Sequence, residues 1–330
     1  MLNVKDNKTM MYTDLAVEIQ EECSGRQGEI PGVVLEQYKE DGKGIRVTKI
    51  QIQTADGAKR MGRPIGNYMT LESADKEHSD EHSDKNLSGT KLPDTNLLAS
   101  YINELLPSSA HSFLIVGLGN ANMTADALGP LTIEKMAQSG MASYTSMIVP
   151  GVFAQTGMES CEIIQGIVQQ TSPDCIITID ALAARSAFRL GTTVQLTDTG
   201  IRPGSGVGNA RKGITKENMN IPVIAIGIPT VVSAAAIVSD AMDSLKQIGY
   251  NETILGSIAM LDKEEYYQLI SEVFAPELGS LFVMPKNLDE ELDTMSSLLA
   301  ASLSQGAIPI SSFANWMPRA IAGTESTKVP

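Results

Sequence analysis

Apolar positions fall into two kinds of run along this chain. Phe113-Leu114-Ile115-Val116, Cys175-Ile176-Ile177-Thr178-Ile179 and Val223-Ile224-Ala225-Ile226 are short, continuous and rich in β-branched residues. That is how strands buried on both faces of a parallel sheet read. Between them the spacing turns helical. Leu97, Leu98, Tyr101, Ile102, Leu105 and Leu106 recur at helical intervals and stop at Pro107. Helices are also predicted over 129–141 and over 156–170, where Ile163, Ile164, Ile167 and Val168 share a face and Pro173 follows. Thr192–Leu196 reads as a short strand, the strand from Val223 is expected to end at Gly227, and 230–247 reads as a buried helix. Helices over 262–274 and 287–304 flank an expected strand at Leu281–Met284. The alternation predicts an α/β fold: a mainly parallel, doubly wound sheet with helices on both faces, of the phosphorylase/hydrolase-like kind. Ile45, Val47, Ile50 and Ile52 predict a half-exposed strand with a bulge, a small additional β element from the N-terminal region. Residues 1–42 are weakly patterned and read as a polar arm, 73–96 as a charged surface loop or linker, and 305–330 as a C-terminal tail.

Composition narrows the function classes. A chain of 330 residues with 42% hydrophobic and 19% charged residues can bury a core, and 39 acidic against 25 basic residues give a net charge of −14. That balance disfavours a nucleic-acid surface. No apolar run reaches the roughly 18 residues of a membrane span, and Met1–Thr13 has no signal-peptide core, so no membrane partner is expected and a cytoplasmic location is the default. Cys23, Cys161 and Cys175 show no CxxC spacing and read as buried or incidental thiols.

Candidate chemistry collects on two aspartates in matching settings. Asp126 lies in Asp126-Ala127-Leu128-Gly129-Pro130 and Asp180 in Asp180-Ala181-Leu182-Ala183-Ala184-Arg185, each after an apolar run. Asp180 is expected at a strand's carboxyl end and Asp126 just beyond its strand, the edge where ligands collect in open α/β sheets. Two acids over one edge could split their titrations, one holding a proton while the other activates water; the same pair could instead hold a divalent metal. An aspartate before Gly129-Pro130 could also be a helix cap. Gly117-Leu118-Gly119-Asn120-Ala121-Asn122 opens like a dinucleotide fingerprint, with Asn122 where the third glycine belongs, so a nonenzymatic nucleotide-binding module is an alternative. The glycines of Gly204-Ser205-Gly206-Val207-Gly208-Asn209 read as a tight loop beside a site. His78 and His82 formally make H-x-x-E-H, but that segment has no apolar face to hold a zinc helix.

Taken together, several of these segments resemble the germination proteases of spore-forming bacteria, atypical aspartic-type endopeptidases. The resemblance covers most of the chain. Its carriers are Thr13-Asp14-Leu15-Ala16-Val17-Glu18, Ile115-Val116-Gly117-Leu118-Gly119-Asn120 with Asp126-Ala127-Leu128-Gly129-Pro130, and the Asp180–Arg185 segment. Asp198-Thr199-Gly200-Ile201, the run Pro203–Asn209 and Pro222–Gly227 with Pro229-Thr230-Val231-Val232 complete it. The resemblance implies a self-processing zymogen that degrades small acid-soluble, DNA-protecting spore proteins, forms a homotetramer and works in the forespore and spore core. It puts the catalytic role on Asp126 and Asp180 and a propeptide at 1–14, cut between Asp14 and Leu15, leaving 15–304 as a single α/β peptidase domain. Gly117, Gly119, Asn120, Arg185, Gly206, Gly208 and Asn209 are then expected to line the site. The fold is also similar to that of hydrogenase maturation proteases, whose acidic site binds a metal, which makes a metal-dependent peptidase the further alternative. With no histidine near the motifs, no cofactor or metal is expected. Tyr12 stands where relatives often carry arginine, and the stretch between the two aspartates is shorter than in familiar members.

Overall fold

A computed structural model describes residues 13–74, 92–140, 145–207, 211–247 and 281–304. The H-x-x-E-H segment, the helix expected at 262–274, Gly208, Asn209, Tyr12 and the tail lie outside the described residues. The chain opens with helix α1 (Ala16–Gln27), strands β1 (Val33–Glu40) and β2 (Ile45–Ile52), helix α2 (Ala55–Met61) and strand β3 (Gly66–Ser73). Next come α3 (Thr95–Leu105), β4 (Phe113–Gly117), α4 (Leu128–Gln138), β5 (Ser146–Ile148), the single turn α5 (Phe153–Thr156) and α6 (Ser160–Thr171). β6 (Cys175–Ala184), β7 (Thr193–Thr197), the turn α7 (Lys216–Met219), β8 (Val223–Ser233), α8 (Ala234–Gln247), β9 (Phe282–Val283) and α9 (Leu288–Ser302) follow.

The described strands form one mixed sheet in the order β1-β2-β3-β7-β8-β6-β4-β5, with β9 pairing β8. The parallel part is confined to β5, β4, β6 and β8; β1, β2, β3, β7 and β9 join antiparallel. The expected α/β class holds, but where a mainly parallel sheet was expected the sheet is mixed, and the additional N-terminal β element is part of it. β3 pairs directly with β7 and makes the N-terminal strands part of the same sheet. Buried Thr70, Glu72 and Ser73 interrupt β3's apolar pattern, and so no strand was legible there.

Helices cover both faces. On one, α3, α4 and α9 pack Leu98, Ile102, Leu128, Met136, Leu292 and Leu299 onto Ile115, Ile177, Val194 and Ile226. On the other, α1 and α2 set Leu15, Val17 and Met61 against Ile50, Ile52, Tyr68 and Leu182, while Cys161 and Ile164 of α6 meet Leu114 and Ile176. Within the polar arm expected over 1–42, residues 13–20 are thus a core element, while β1 stays largely exposed. Leu15 is fully buried, worth about 1.5–3 kcal/mol. β2 has no bulge. Its pairing with β1 and β3 is continuous, and the phase change in its apolar residues arises because Ile45 and Val47 face one core and Ile50 and Ile52 the other.

Two strands run further than their apolar patterns suggest. β8 continues through Gly227 to Ser233, so the helix begins at Ala234 and not at 230; the β-branched Thr230, Val231 and Val232 favour the strand. β6 continues to Ala184 beside it, with a register shift between Leu182 and Ala183. Asp180 accordingly lies inside a strand, not at its end. It still stands at an edge, because neighbouring β4 stops at Gly117 opposite Ile179.

Candidate active site

The step where β4 ends is closed by backbone alone. The Leu118 N–H donates to the Ile179 carbonyl at 2.8 Å, and the start of α4 presses into the turn. A Cβ on Gly117 would lie 2.5 Å from the Gly129 carbonyl oxygen, and one on Gly129 would lie 2.6 Å from that of Ile179. These glycines serve the close approach of helix and strand. Gly119, at φ +111°, faces the Asp126 carbonyl oxygen, where a Cβ would overlap. The turn folds Asp126 back over the sheet: within the 3-10 turn Thr124–Asp126, its carboxylate accepts the Asn120 N–H at 2.8 Å. Thr230 of β8 pins the same turn by donating its hydroxyl to the Ala125 carbonyl at 2.6 Å.

Asp180 is brought to the same place by the sheet. Gly227 is its partner across β8 and also the partner of Gln195 on β7. Residues directly opposite in a sheet put side chains on one face, so Asp180 and Gln195 flank a position that has no side chain. Leu182 fills the notch, its side-chain carbons 2.5–2.7 Å from where a Gly227 Cβ would be.

Across this row lies the N-terminal segment. The Asp14 N–H donates to the Ala183 carbonyl and the Ala183 N–H to the Asp14 carboxylate, both at 2.9 Å. Ser205 donates its hydroxyl to the other carboxylate oxygen at 2.7 Å. Gln195 spans the Asp14–Leu15 peptide: Nε2 donates to the Asp14 carbonyl at 2.9 Å, and Oε1 accepts the Ala16 N–H at 2.6 Å. These two partners together fix the orientation of the amide. Arg63 donates to the Thr13 carbonyl at 2.7 Å. Behind it, buried Glu18 accepts the Thr13 hydroxyl, the backbone N–H groups of Arg185 and Ser186, and Nη1 of Arg189.

Asp14, Asp126 and Asp180 all line one cavity of about 590 Å3, along with Gly119, Arg211 and Lys212. Burial, then the charges of Asp126 and Asp14, hold the Asp180 carboxyl well above the usual carboxylate range. Burial also raises Asp126, and the Asn120 N–H opposes that rise. The site therefore offers two acids of unequal titration lining one cavity, an arrangement suited to general acid and base work. Among the described residues no group of three or more histidine, cysteine, aspartate or glutamate side chains is set to hold a metal ion.

Of the expected lining residues, Gly119 borders the cavity, Gly117 and Asn120 shape its turn, and Gly206 lies against Asp14. Arg185 does not line the cavity; its guanidinium is 3.9 Å from Asp240. Sequence reasoning missed Gln195 and Ser205. A glutamine inside Thr193-Val194-Gln195-Leu196-Thr197, a strand buried on both faces, was the available signal, since a buried amide needs partners.

Among the described residues no helix is long and apolar enough to cross a membrane. The germination protease family model matches residues 10–252. The Germination protease of Bacillus subtilis (strain 168) is 35% identical over 90% of this chain and 93% of its own. That of Caldanaerobacter subterraneus subsp. tengcongensis is 38% identical over 89% and 92%. Among solved structures, a NiFe hydrogenase maturation protease from Thermococcus kodakarensis KOD1 aligns with 60% of this chain and 95% of its own, at 16% identity and a TM-score of 0.33. With both aspartates inside the matched span and relatives similar over nearly their whole length, the chain belongs to the germination protease family and is a peptidase.

Proposed function

We propose that the chain is an endopeptidase made as a zymogen, in which Asp126 and Asp180 hydrolyse the Asp14–Leu15 bond and then bonds in small acid-soluble spore proteins. The observation that carries this reading is the placement of Asp14: it lines the cavity that holds both acids, and Gln195 grips the peptide group between Asp14 and Leu15.

In this reaction the ionised Asp126 takes a proton from water as the water oxygen bonds to the carbonyl carbon. Gln195 Nε2 donates to the carbonyl oxygen as negative charge develops there, a contribution of the oxyanion-hole type. The C–N bond then breaks, and Asp180 gives its proton to the departing amine. One proton has moved in and one out, and exchange with solvent restores the starting pair. Asp180 suits the acid role because burial and two neighbouring carboxylates keep it protonated. Asp126 suits the base role because burial raises it without the neighbouring carboxylates that push Asp180 further up, and the Asn120 N–H opposes that rise, so Asp126 is the first of the two to ionise.

The substrate class, the homotetramer and action in the spore core rest on family membership. Intact mass of the purified chain over time tests the site and its activation together: residues 1–14 are lost from wild type and retained in Asp126→Asn. Loss of the segment from both chains would refute the assigned site. A metal-dependent version of the same site predicts that exhaustive chelation stops processing, whereas hydrolysis by the two acids alone predicts an unchanged rate.

A further inference from the structure

The Asp14 carboxylate has a built receptor. One oxygen accepts the Ala183 N–H at 2.9 Å, the other accepts the Ser205 hydroxyl at 2.7 Å, and a Cβ on Gly206 would overlap the carboxylate. Arg202 lines the cavity on one side of Asp14, and Arg211 and Lys212 line the cavity on the other. A backbone N–H can only donate, so its partner must be an acceptor. A carboxylate fits without remainder. An apolar side chain would leave the Ala183 N–H buried and unpaired, and any side chain at 206 would fill the space. The receptor is also fixed relative to the chemistry, since Ala183 stands three residues beyond Asp180 on the same strand.

We propose that Ala183, Ser205 and Gly206 form the subsite that selects an acidic residue on the amino side of the bond to be cut, with the Ser205 hydroxyl as its specificity-determining side chain. This deepens the proposed function and rests on Asp14 being read as a substrate residue. On this account the contacts of Asp14 show how an acidic side chain of any substrate is held. Gly206 keeps the receptor open, and Ser205 supplies the one donor that mutation can remove without touching the backbone.

The test has two arms. In the first, intact mass follows loss of residues 1–14 from wild type, Asp14→Ala, Ser205→Ala and the double variant. Each single change is expected to slow processing about tenfold, the scale of one hydrogen bond to a charged group. The double variant is expected to be no slower than the slower single, because the two changes remove one interaction. Ser205→Thr, which keeps a hydroxyl, restores the wild-type rate. Effects that multiply in the double variant, or single variants that process faster, overturn the subsite.

The second arm compares kcat/KM for two peptides that differ only in aspartate or leucine before the cut bond. Ser205→Ala is expected to lower the aspartate-to-leucine ratio about tenfold, and an unchanged ratio overturns the proposal. A wild-type chain that keeps residues 1–14 yet cleaves the peptides ends the processing reading alone. The peptide ratio then decides the subsite by itself.

Discussion

At the scale of single residues, the site depends on how differently its two acids titrate. Asp126→Asn and Asp180→Asn are each expected to reduce peptide cleavage on the order of 10²–10⁴-fold, the usual worth of a positioned acid or base, while the far-ultraviolet circular dichroism stays that of the folded chain. Asp180 also leaves a mark on stability. Between about pH 4, where an unfolded aspartate titrates, and its raised folded value, the native chain keeps a proton that the unfolded chain has released. The stability linked to Asp180 is therefore full below that lower bound and falls as pH rises through the window, by up to about 1.4 kcal/mol per pH unit. Asp180→Asn removes this slope. Its melting temperature plotted against pH should be flatter than that of wild type and lie above it near neutrality. A curve parallel to the wild type's would assign the slope to other groups.

At the scale of elements, the close contact of α4 with the end of β4 sets Asp126. Gly129 meets the Ile179 carbonyl oxygen and Gly117 meets Gly129, so Gly129→Ala must push the helix off the sheet. A loss of about 1–3 kcal/mol is expected, as for other overpacked sites, measurable as a shift in the denaturant midpoint at constant m-value. A larger fall in activity than in stability would show that the turn holding Asp126 has moved. The elements also show what the sequence could and could not reveal. α3, β4, the start of β6 and α9 were legible because their apolar positions keep one period from end to end. The two aspartates were legible because each follows such a run. The extensions of β6 and β8 were not. There the strands pass the end of β4 and carry Asp180, Gly227 and Pro229, residues that interrupt a hydrophobic pattern yet pair in register. Buried polar groups hid β3 and Gln195 in the same way: Glu72 meets Arg189, and Gln195 meets the backbone of Asp14 and Ala16, partners far away in the chain that no local window contains. α1 was overlooked because its apolar residues are few and gathered at its start, Leu15, Ala16 and Val17, where the core receives them.

At the scale of the whole molecule, one sheet joins the N-terminal strands to the parallel strands that carry the acids, and α1 lies across the seam. Leu15 is held by that core, whereas Thr13 and Asp14 are held by Arg63, Ala183 and Ser205 at the cavity. A cut between Asp14 and Leu15 would leave the new end anchored and the other side bound only by its hydrogen bonds. On the proposed reading the segment acts as a tethered ligand until that cut. A group on a short tether competes at a local concentration of about the millimolar range, so every free peptide meets a cleft already taken. A chain beginning at Leu15 is accordingly expected to show a KM lower by roughly tenfold or more, with kcat little changed, compared with a full-length chain held uncut by substitution of Leu15. Equal KM values would mean that Asp14 does not contend for the cleft. On this view the same few hydrogen bonds that present residue 14 for hydrolysis also set the timing of the enzyme: occupancy by its own chain keeps it silent, and departure of that segment is the event that opens it to others.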